Sequence, residues 1–236
     1  MNYAGVLAGG IGSRMESKLP KQFLKINNVP IIIRTLRTFL ASPETDKIVI
    51  AMNPQWMDYF NEMLKEYNMN TSRMIIISGG TTRFLSMVNI VDACIADLGD
   101  CFCEDDLLCI HDCARPFFTE KIIKDNFDGV KEFDMVTTSV PTIDTVLIAK
   151  NGNESSYVPE RSTVFCDQGP QTFRIKQFKE IQSGLTQEET DSYMEAGRMY
   201  LEKGKRVGIV PGDRMNFKIT TEFDMVLAEL LIKDKE

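Results

Sequence analysis

The densest chemical signal in this 236-residue chain is Leu7-Ala8-Gly9-Gly10-Ile11-Gly12-Ser13-Arg14-Met15, followed by Pro20-Lys21-Gln22. Glycines directly after an apolar run let backbone N–H groups approach phosphate oxygens, forming a local anion nest. Arg14 and Lys21 flank the loop at a spacing that lets both reach one triphosphate. There they would neutralise charge growing on a phosphorus during transfer. Two common nucleotide motifs fail. G-x-G-x-x-G has Met15 at its third glycine and no acidic residue ~20 positions on, and G-x-x-x-x-G-K-[ST] fails because Ile11 follows Gly10. The plainer alternative is a glycine turn with two solvated basic residues.

Two further segments carry candidate chemistry. Ser78-Gly79-Gly80-Thr81-Thr82-Arg83 is a second glycine turn, leading into a helical pattern with Ser86, although such turns often do no more than reverse the chain. His111-Asp112-Cys113-Ala114-Arg115-Pro116 closes an apolar run, and Asp112 there suits Mg²⁺, which takes one or two carboxylates plus waters and nucleotide phosphates. A cap is the alternative for Asp112, and a buried neutral ring is the favoured reading of His111. Five of the six cysteines fall between Cys94 and Cys113, around the only histidine, so zinc must be weighed. Cys109, His111 and Cys113 alternate along the run, and i, i+2 side chains on a strand start ~7 Å apart, too far for one tetrahedral ion. Reduced, mostly buried cysteines in a reducing compartment are the better reading.

Positioning these groups requires a sheet whose strands end at one edge. Short apolar β-branched runs alternate with helical patterns, as in βαβ units. The strands are expected at Tyr3–Ala8, Lys47–Ala51, Met74–Ser78, Leu107–His111, Met135–Val140 and Arg206–Val210. The helices are expected at Ile31–Leu40, Gln55–Tyr67, Phe84–Leu98, Glu120–Phe133, Ile175–Gly184, Ser192–Lys203 and Glu222–Lys233, with Thr190 or Asp191 as a helix start. The inventory is one three-layer α/β/α domain over residues 1–236. The stretch from Pro141 to Gln171 breaks the alternation. It reads as a projecting hairpin, Ile143–Ala149 and Ser155–Val158 around Asn151-Gly152, that packs on a second subunit or over a substrate.

Composition narrows the class. At this length the folded chain buries roughly 70% of its unfolded surface, so no disulfide or metal is needed for a core. With 27 Lys+Arg against 34 Asp+Glu, a net charge of -7 and no basic run, nucleic acid and anionic membranes are disfavoured as partners. No signal-peptide pattern and no apolar stretch of ~18 residues is present, so the expected location is cytoplasmic.

Taken in order, Leu7-Ala8-Gly9-Gly10-x-Gly-x-Arg14-Met15, Pro20-Lys21-Gln22-Phe23, Gly79-Gly80, His111-Asp112-x-Ala-Arg115-Pro116, Asp144-Thr145, Pro170-Gln171-x-Phe173, Thr190-Asp191 and Asn216-x-Lys218-x-Thr220 resemble the sugar-alcohol phosphate cytidylyltransferases. That family contains 2-C-methyl-D-erythritol 4-phosphate cytidylyltransferase and ribitol-5-phosphate cytidylyltransferase, and the resemblance spans essentially the whole chain. It implies a Rossmann-like nucleotidyltransferase fold with a seven-stranded, mixed, mainly parallel sheet and a β-arm, at about residues 141–171, exchanged across a homodimer. It implies that Arg14 and Lys21 stabilise the transition state at the α-phosphorus and that Asp112 ligates Mg²⁺. By the same carry-over, Leu7, Ala8, Gly9, Gly10, Gly80, Thr81, Arg83, Ser86 and Asp112 surround CTP, while Arg115, Thr145, Arg161, Thr190 and Lys218 position the polyol phosphate. Arg161, lying in the arm, would serve the partner's site. The second loop departs from the family, with Thr81-Thr82 where an acidic residue is usual and Phe84-Leu85 in place of polar residues. The spelling of the first loop lies nearer the ribitol branch. The expected reaction is therefore transfer of a cytidylyl group from CTP to D-ribitol 5-phosphate, releasing pyrophosphate, with methylerythritol phosphate as the alternative acceptor. A sugar-phosphate nucleotidyltransferase using another base and a silent nucleotide-binding homologue are the remaining readings, the last disfavoured by Arg14, Lys21, Asp112 and Lys218 occurring together.

Overall fold

A computed structural model of the chain describes residues 1–10 and 19–233. Its strands are β1 (Asn2–Ala8), β2 (Lys25–Ile26), β3 (Val29–Pro30), β4 (Lys47–Met52), β5 (Met74–Ser78), β6 (Leu107–Asp112), β7 (Met135–Pro141), β8 (Phe165–Arg174) and β9 (Val207–Pro211). The helices are α1 (Ile31–Ala41), α2 (Met57–Glu66), α3 (Arg83–Leu98), α4 (Glu120–Gly129), α5 (Ile175–Ser183), α6 (Gln187–Ser192), α7 (Ala196–Glu202) and α8 (Glu222–Lys233). Seven strands form one sheet in the order β5-β4-β1-β6-β8-β7-β9, and β2 pairs with β3. Every neighbouring pair in the large sheet is parallel except the two made by β8.

The apolar strands are covered on both faces, and their period of two divides the core. Ala4, Val6, Ile48, Ile50 and Met52 face α1, α2 and α4 through Leu36, Phe39, Phe60 and Ile123. Tyr3, Val49, Ala51, Leu108 and Ile110 face α3, α5 and α7 through Phe84, Ile90, Phe178 and Tyr200. This is the expected three-layer α/β/α sandwich with a mixed, mainly parallel sheet. A smaller third core joins Ile26, Ile31, Ile219, Ala228 and Ile232, fastening α8 and the 216–220 segment to α1 and the β2–β3 ribbon. No helix among the described residues is long and apolar enough to cross a membrane.

Three local expectations are corrected. Thr190 and Asp191 do not start a helix. Thr186 caps α6 in a box with Glu189, the chain breaks at 193–195, and Glu195 caps α7. The helix expected over Gln55–Tyr67 opens instead as a 3-10 turn (Pro54–Trp56) capped by Asn53, because proline suits a first turn and not a helix interior. Strand β8 was not anticipated. Its sequence, FCDQGPQTFR, has no apolar alternation, yet it lies between β6 and β7. Two of its buried polar side chains find partners outside the strand: the Gln171 Oε1 accepts from the Ala196 N–H at 3.3 Å, and the Thr172 hydroxyl donates to Asn126 Oδ1 at 3.3 Å. The projecting segment is thus confined to residues 142–164. There the expected hairpin reduces to one antiparallel bridge, Ile148 with Tyr157, around a turn in which Asn151 Oδ1 accepts from the Asn153 and Glu154 N–H groups.

Candidate active site

Strands β4 and β5 lie to one side of β1 and β6 lies on the other, so the chain reverses its direction of winding between β1 and β6. In open α/β sheets the crevice beyond the carboxyl ends of such a strand pair is where ligands bind. The register sets Leu7 opposite Asp112, so the first glycine loop and the candidate metal ligand leave the sheet side by side.

Asp112 anchors the site. One carboxylate oxygen accepts from Arg83 Nε at 3.1 Å and the other from Lys218 Nζ at 2.7 Å, and the side chain is 16% exposed. Burial alone would raise its pKa, but the Arg83 and Lys218 cations outweigh that and hold it well below the usual carboxylate range. Lys21 Nζ donates to the carbonyl of Ile219 at 3.0 Å, one residue from Lys218. Its 3-10 turn (Lys21–Phe23) is pinned from both sides. The buried Gln22 amide donates to the Ala8 carbonyl at 2.8 Å, and the Phe23 ring packs against Trp56 and Tyr59. Leu7 to Gly10, Lys21, Arg83, Asp112 and Lys218 therefore gather at one sheet edge. Among the described residues, a Cβ on Gly9 or Gly10 would meet nothing within 4 Å.

The second loop is held by its serine. Ser86 Oγ accepts from the Gly80 N–H at 3.0 Å and donates to the Thr82 carbonyl at 2.9 Å, so this hydroxyl shapes the loop from beneath. Thr81 is exposed, Thr82 caps α3, and Arg83 also donates to the Met194 carbonyl at 2.9 Å. A Cβ on Gly80 would stand 2.5 Å from Leu85 Cβ and 2.7 Å from the Leu85 carbonyl carbon. Gly80→Ala is therefore expected to cost roughly 1–3 kcal/mol and to weaken nucleotide binding as the loop shifts off α3. Thermal melts and nucleotide titrations check this, and an unchanged Tm with unchanged affinity would refute it.

On the other flank, Arg115 Nη1 donates to the Asn216 carbonyl at 2.9 Å, the fully buried Asn216 amide donates to the Gly169 carbonyl at 2.9 Å, and the Ile219 N–H donates to the Ala114 carbonyl at 2.9 Å. These bonds fix the Lys218 segment to the exit of β6 and to the middle of β8. The motifs contain Gln22 and Asn216 without giving either a chemical task, and their burial as hydrogen-bonded amides marks them as tethers. His111 is buried, its Nε2–H donates to the Arg115 carbonyl at 2.9 Å, and burial pushes its pKa down to about 4, leaving the neutral ring that was expected. No group of three or more His, Cys, Asp or Glu among the described residues could hold a metal ion. All six cysteines are free, and only Cys94, Cys109 and Cys113 are buried.

Three of the candidate residues stand apart. Thr145 and Arg161 lie on the exposed projecting segment, where Arg161 Nη1 meets the Ile143 carbonyl at 3.5 Å. The Thr190 hydroxyl donates to the Thr186 carbonyl of its own helix at 2.9 Å. Arg14 lies outside the described residues.

Comparison with known proteins bears on this arrangement. The model of one family, 2-C-methyl-D-erythritol 4-phosphate cytidylyltransferase (IspD), matches residues 3–234. The solved enzyme of that name from Francisella tularensis is similar at 26% identity, with a TM-score of 0.78 over 97% of this chain and 98% of that one. 4-Diphosphocytidyl-2C-methyl-D-erythritol synthase from Anaerococcus prevotii shares the fold at 22% identity, with a TM-score of 0.79 over 99% of this chain and 96% of that one. The 2-C-methyl-D-erythritol 4-phosphate cytidylyltransferase from Thermus thermophilus shares it at 22% identity, with a TM-score of 0.72 over 99% and 100%. With a match that runs nearly end to end, the chain belongs to the 2-C-methyl-D-erythritol 4-phosphate cytidylyltransferase family and is a nucleotidyltransferase that uses CTP and a phosphorylated sugar alcohol.

Proposed function

We propose that the acceptor is 2-C-methyl-D-erythritol 4-phosphate. Its phosphate oxygen attacks the α-phosphorus of CTP, pyrophosphate leaves, and 4-diphosphocytidyl-2-C-methyl-D-erythritol is formed. The observation that carries this is the family match over residues 3–234, which weighs every motif at once. The ribitol expectation rested on the spelling of a single loop, most of which lies outside the described residues, and no comparison supports it. A phosphomonoester with a second pKa of ~6 is already largely a dianion at neutral pH, so no base has to deprotonate it. The protein's part is positioning and charge stabilisation, with Arg14 and Lys21 at the α-phosphate, Leu7 to Gly10 and the Gly80 loop around the nucleotide, and Arg115 and Lys218 on the acceptor side.

Asp112 suits Mg²⁺: it is a hard oxygen donor, ionised at neutral pH, at the strand end beside the nucleotide loop. A bound Mg²⁺ would offset phosphate charge. Asp112→Asn is expected to raise the Mg²⁺ concentration for half-maximal rate by about tenfold, read from a Mg²⁺ titration of pyrophosphate release. An unchanged midpoint would remove Asp112 from the metal's shell.

The projecting segment exposes Ile143, Leu147, Ile148, Tyr157 and Val158, each between 46% and 61% exposed. Surface of that kind fits contact with a second copy of the chain in a C2 homodimer, with Thr145 and Arg161 delivered to the neighbour's acceptor. The acceptor is tested by pyrophosphate release with CTP, UTP, ATP or GTP crossed with methylerythritol phosphate or ribitol 5-phosphate. The expected kcat/KM with CTP favours methylerythritol phosphate on the order of 10²-fold. A higher value with ribitol 5-phosphate would overturn the proposal.

A further inference from the structure

Beyond the carboxyl end of β6 the sheet continues as the β7–β8 pair, and Asp167 lies on it. Ile110 is opposite Gln171 and β8 runs antiparallel to β6, so Asp167 stands four residues further toward the active-site edge. Side chains two and four apart on a strand share a face, which puts Asp167 and Gln171 on the side of Ile110 and Asp112. Their contact agrees, with Gln171 Nε2 donating to Asp167 Oδ2 at 3.1 Å. The register of β7 and β8 slips between Thr137 and Ser139, next to Asp167. Irregularities of this kind re-aim a side chain beside an active site.

The Asp167 carboxylate is exposed yet fixed in direction. Its Oδ1 accepts from the Thr137 hydroxyl and from the Gly169 N–H at 3.3 Å, while among the described residues its Oδ2 accepts from Gln171 alone. Gln171 is itself buried and held by the Ala196 N–H. A carboxylate oxygen with one donor retains a place for a second. Asp167 also favours the charged form of Arg115, second only to Asp112 among the carboxylates around that guanidinium. The carboxylate therefore borders the acceptor side of the cleft.

The charged groups given to the acceptor above, Arg115, Lys218 and Arg161, donate hydrogen bonds and cannot accept them. They suit a phosphate. A sugar alcohol also carries O–H groups, and these need an acceptor. Asp112 is already engaged, one oxygen with Arg83 and the other with Lys218.

We propose that Asp167 is a specificity-determining residue for the hydroxyl-bearing end of the acceptor, its Oδ2 accepting an O–H of the polyol while the cations hold the phosphate. Thr137 and Gln171 are positioning residues that aim it. This role rests on the placement of the sugar-alcohol phosphate beside Arg115 proposed above, and it holds for either candidate acceptor.

The test compares D-erythritol 4-phosphate with n-butyl phosphate, which presents the same phosphate on a chain without hydroxyls. Calorimetry is run on the full chain saturated with a CTP analogue that has a methylene bridge between the α- and β-phosphorus. Asp167→Ala is expected to weaken erythritol 4-phosphate about thirtyfold and to leave n-butyl phosphate within about twofold. Thr137→Val, which removes one aiming bond and keeps the carboxylate, is expected to weaken erythritol 4-phosphate about threefold. In steady-state assays Asp167→Ala is expected to raise the acceptor KM while the CTP KM stays constant. Equal weakening of both ligands would show that Asp167 shapes the site as a whole and would overturn its part in specificity. Unchanged affinity for erythritol 4-phosphate would overturn the contact itself. Should ribitol 5-phosphate prove the better substrate, the proposed reaction fails while the comparison of these two ligands still decides Asp167.

Discussion

Lys21→Ala is expected to lower turnover by roughly 10²- to 10³-fold while changing CTP affinity by less than about tenfold. A cation contributes most to rate where charge develops in the transition state, and its effect is largest when its position is set in advance. Lys21 meets the second condition. Its turn is fastened by Gln22 to the end of β1 and by Phe23 to the aromatic cluster with Trp56, while its amine rests on the Ile219 carbonyl beside Lys218. Because these anchors lie in the fold, the amine does not depend on bound nucleotide for its placement. Single-turnover rates together with CTP titrations separate the two effects. Weaker CTP binding with a preserved single-turnover rate would reassign Lys21 to ground-state binding.

Subunit mixing should give the second large effect. Arg161→Ala and Lys21→Ala homodimers are each expected to retain only about a hundredth of wild-type activity or less, by loss of a phosphate-binding cation in one case and a transition-state cation in the other. If Arg161 serves the neighbouring chain, a heterodimer of the two variants has one site with both residues intact and one with neither. Free exchange of equal amounts makes half the dimers mixed, so recovered activity is about a quarter of wild type. Light scattering checks the oligomeric state in the same samples. A monomer, or a mixture no more active than its parents, would show that Arg161 acts within its own chain or not at all.

Sequence reasoning reached those parts of the fold whose cause is local. Met74–Ser78 and Glu222–Lys233 match their expected bounds, because a short unbroken apolar strand and a twelve-residue run of helix-favouring residues carry their reasons in their own residues. Strand β8 does not. Gln171 and Thr172 are polar and buried, and their partners lie 25 and 46 positions away, at Ala196 and Asn126. The site divides in the same way. Asp112, Arg83 and Lys218 were legible as motif residues, but that they form one ionic cluster follows from a contact across 106 positions. The resting place of Lys21, on a carbonyl 198 positions away, was equally out of reach. Thr190 misled because a threonine within a capped turn resembles a threonine that caps one.

The place of β8 in the sheet bears on how the protein is made. Both sheet neighbours of β7 are β8 and β9, which follow it in the chain, whereas β1, β4, β5 and β6 can pair among themselves as soon as residue 112 is available. During synthesis, then, the segment Met135–Pro141 leaves the ribosome with no partner strand, and it waits through the whole projecting segment before Phe165–Arg174 arrives to join it to β6. Translation at roughly 5–20 residues per second makes that interval a matter of seconds, long on the timescale of strand association. A chain stalled or cleaved between residues 141 and 165 presents β7 with its backbone N–H and C=O groups unpaired, the kind of edge that templates aggregation. The nascent protein is thus most exposed to misassembly, and most in need of chaperone cover, while its projecting segment is being translated.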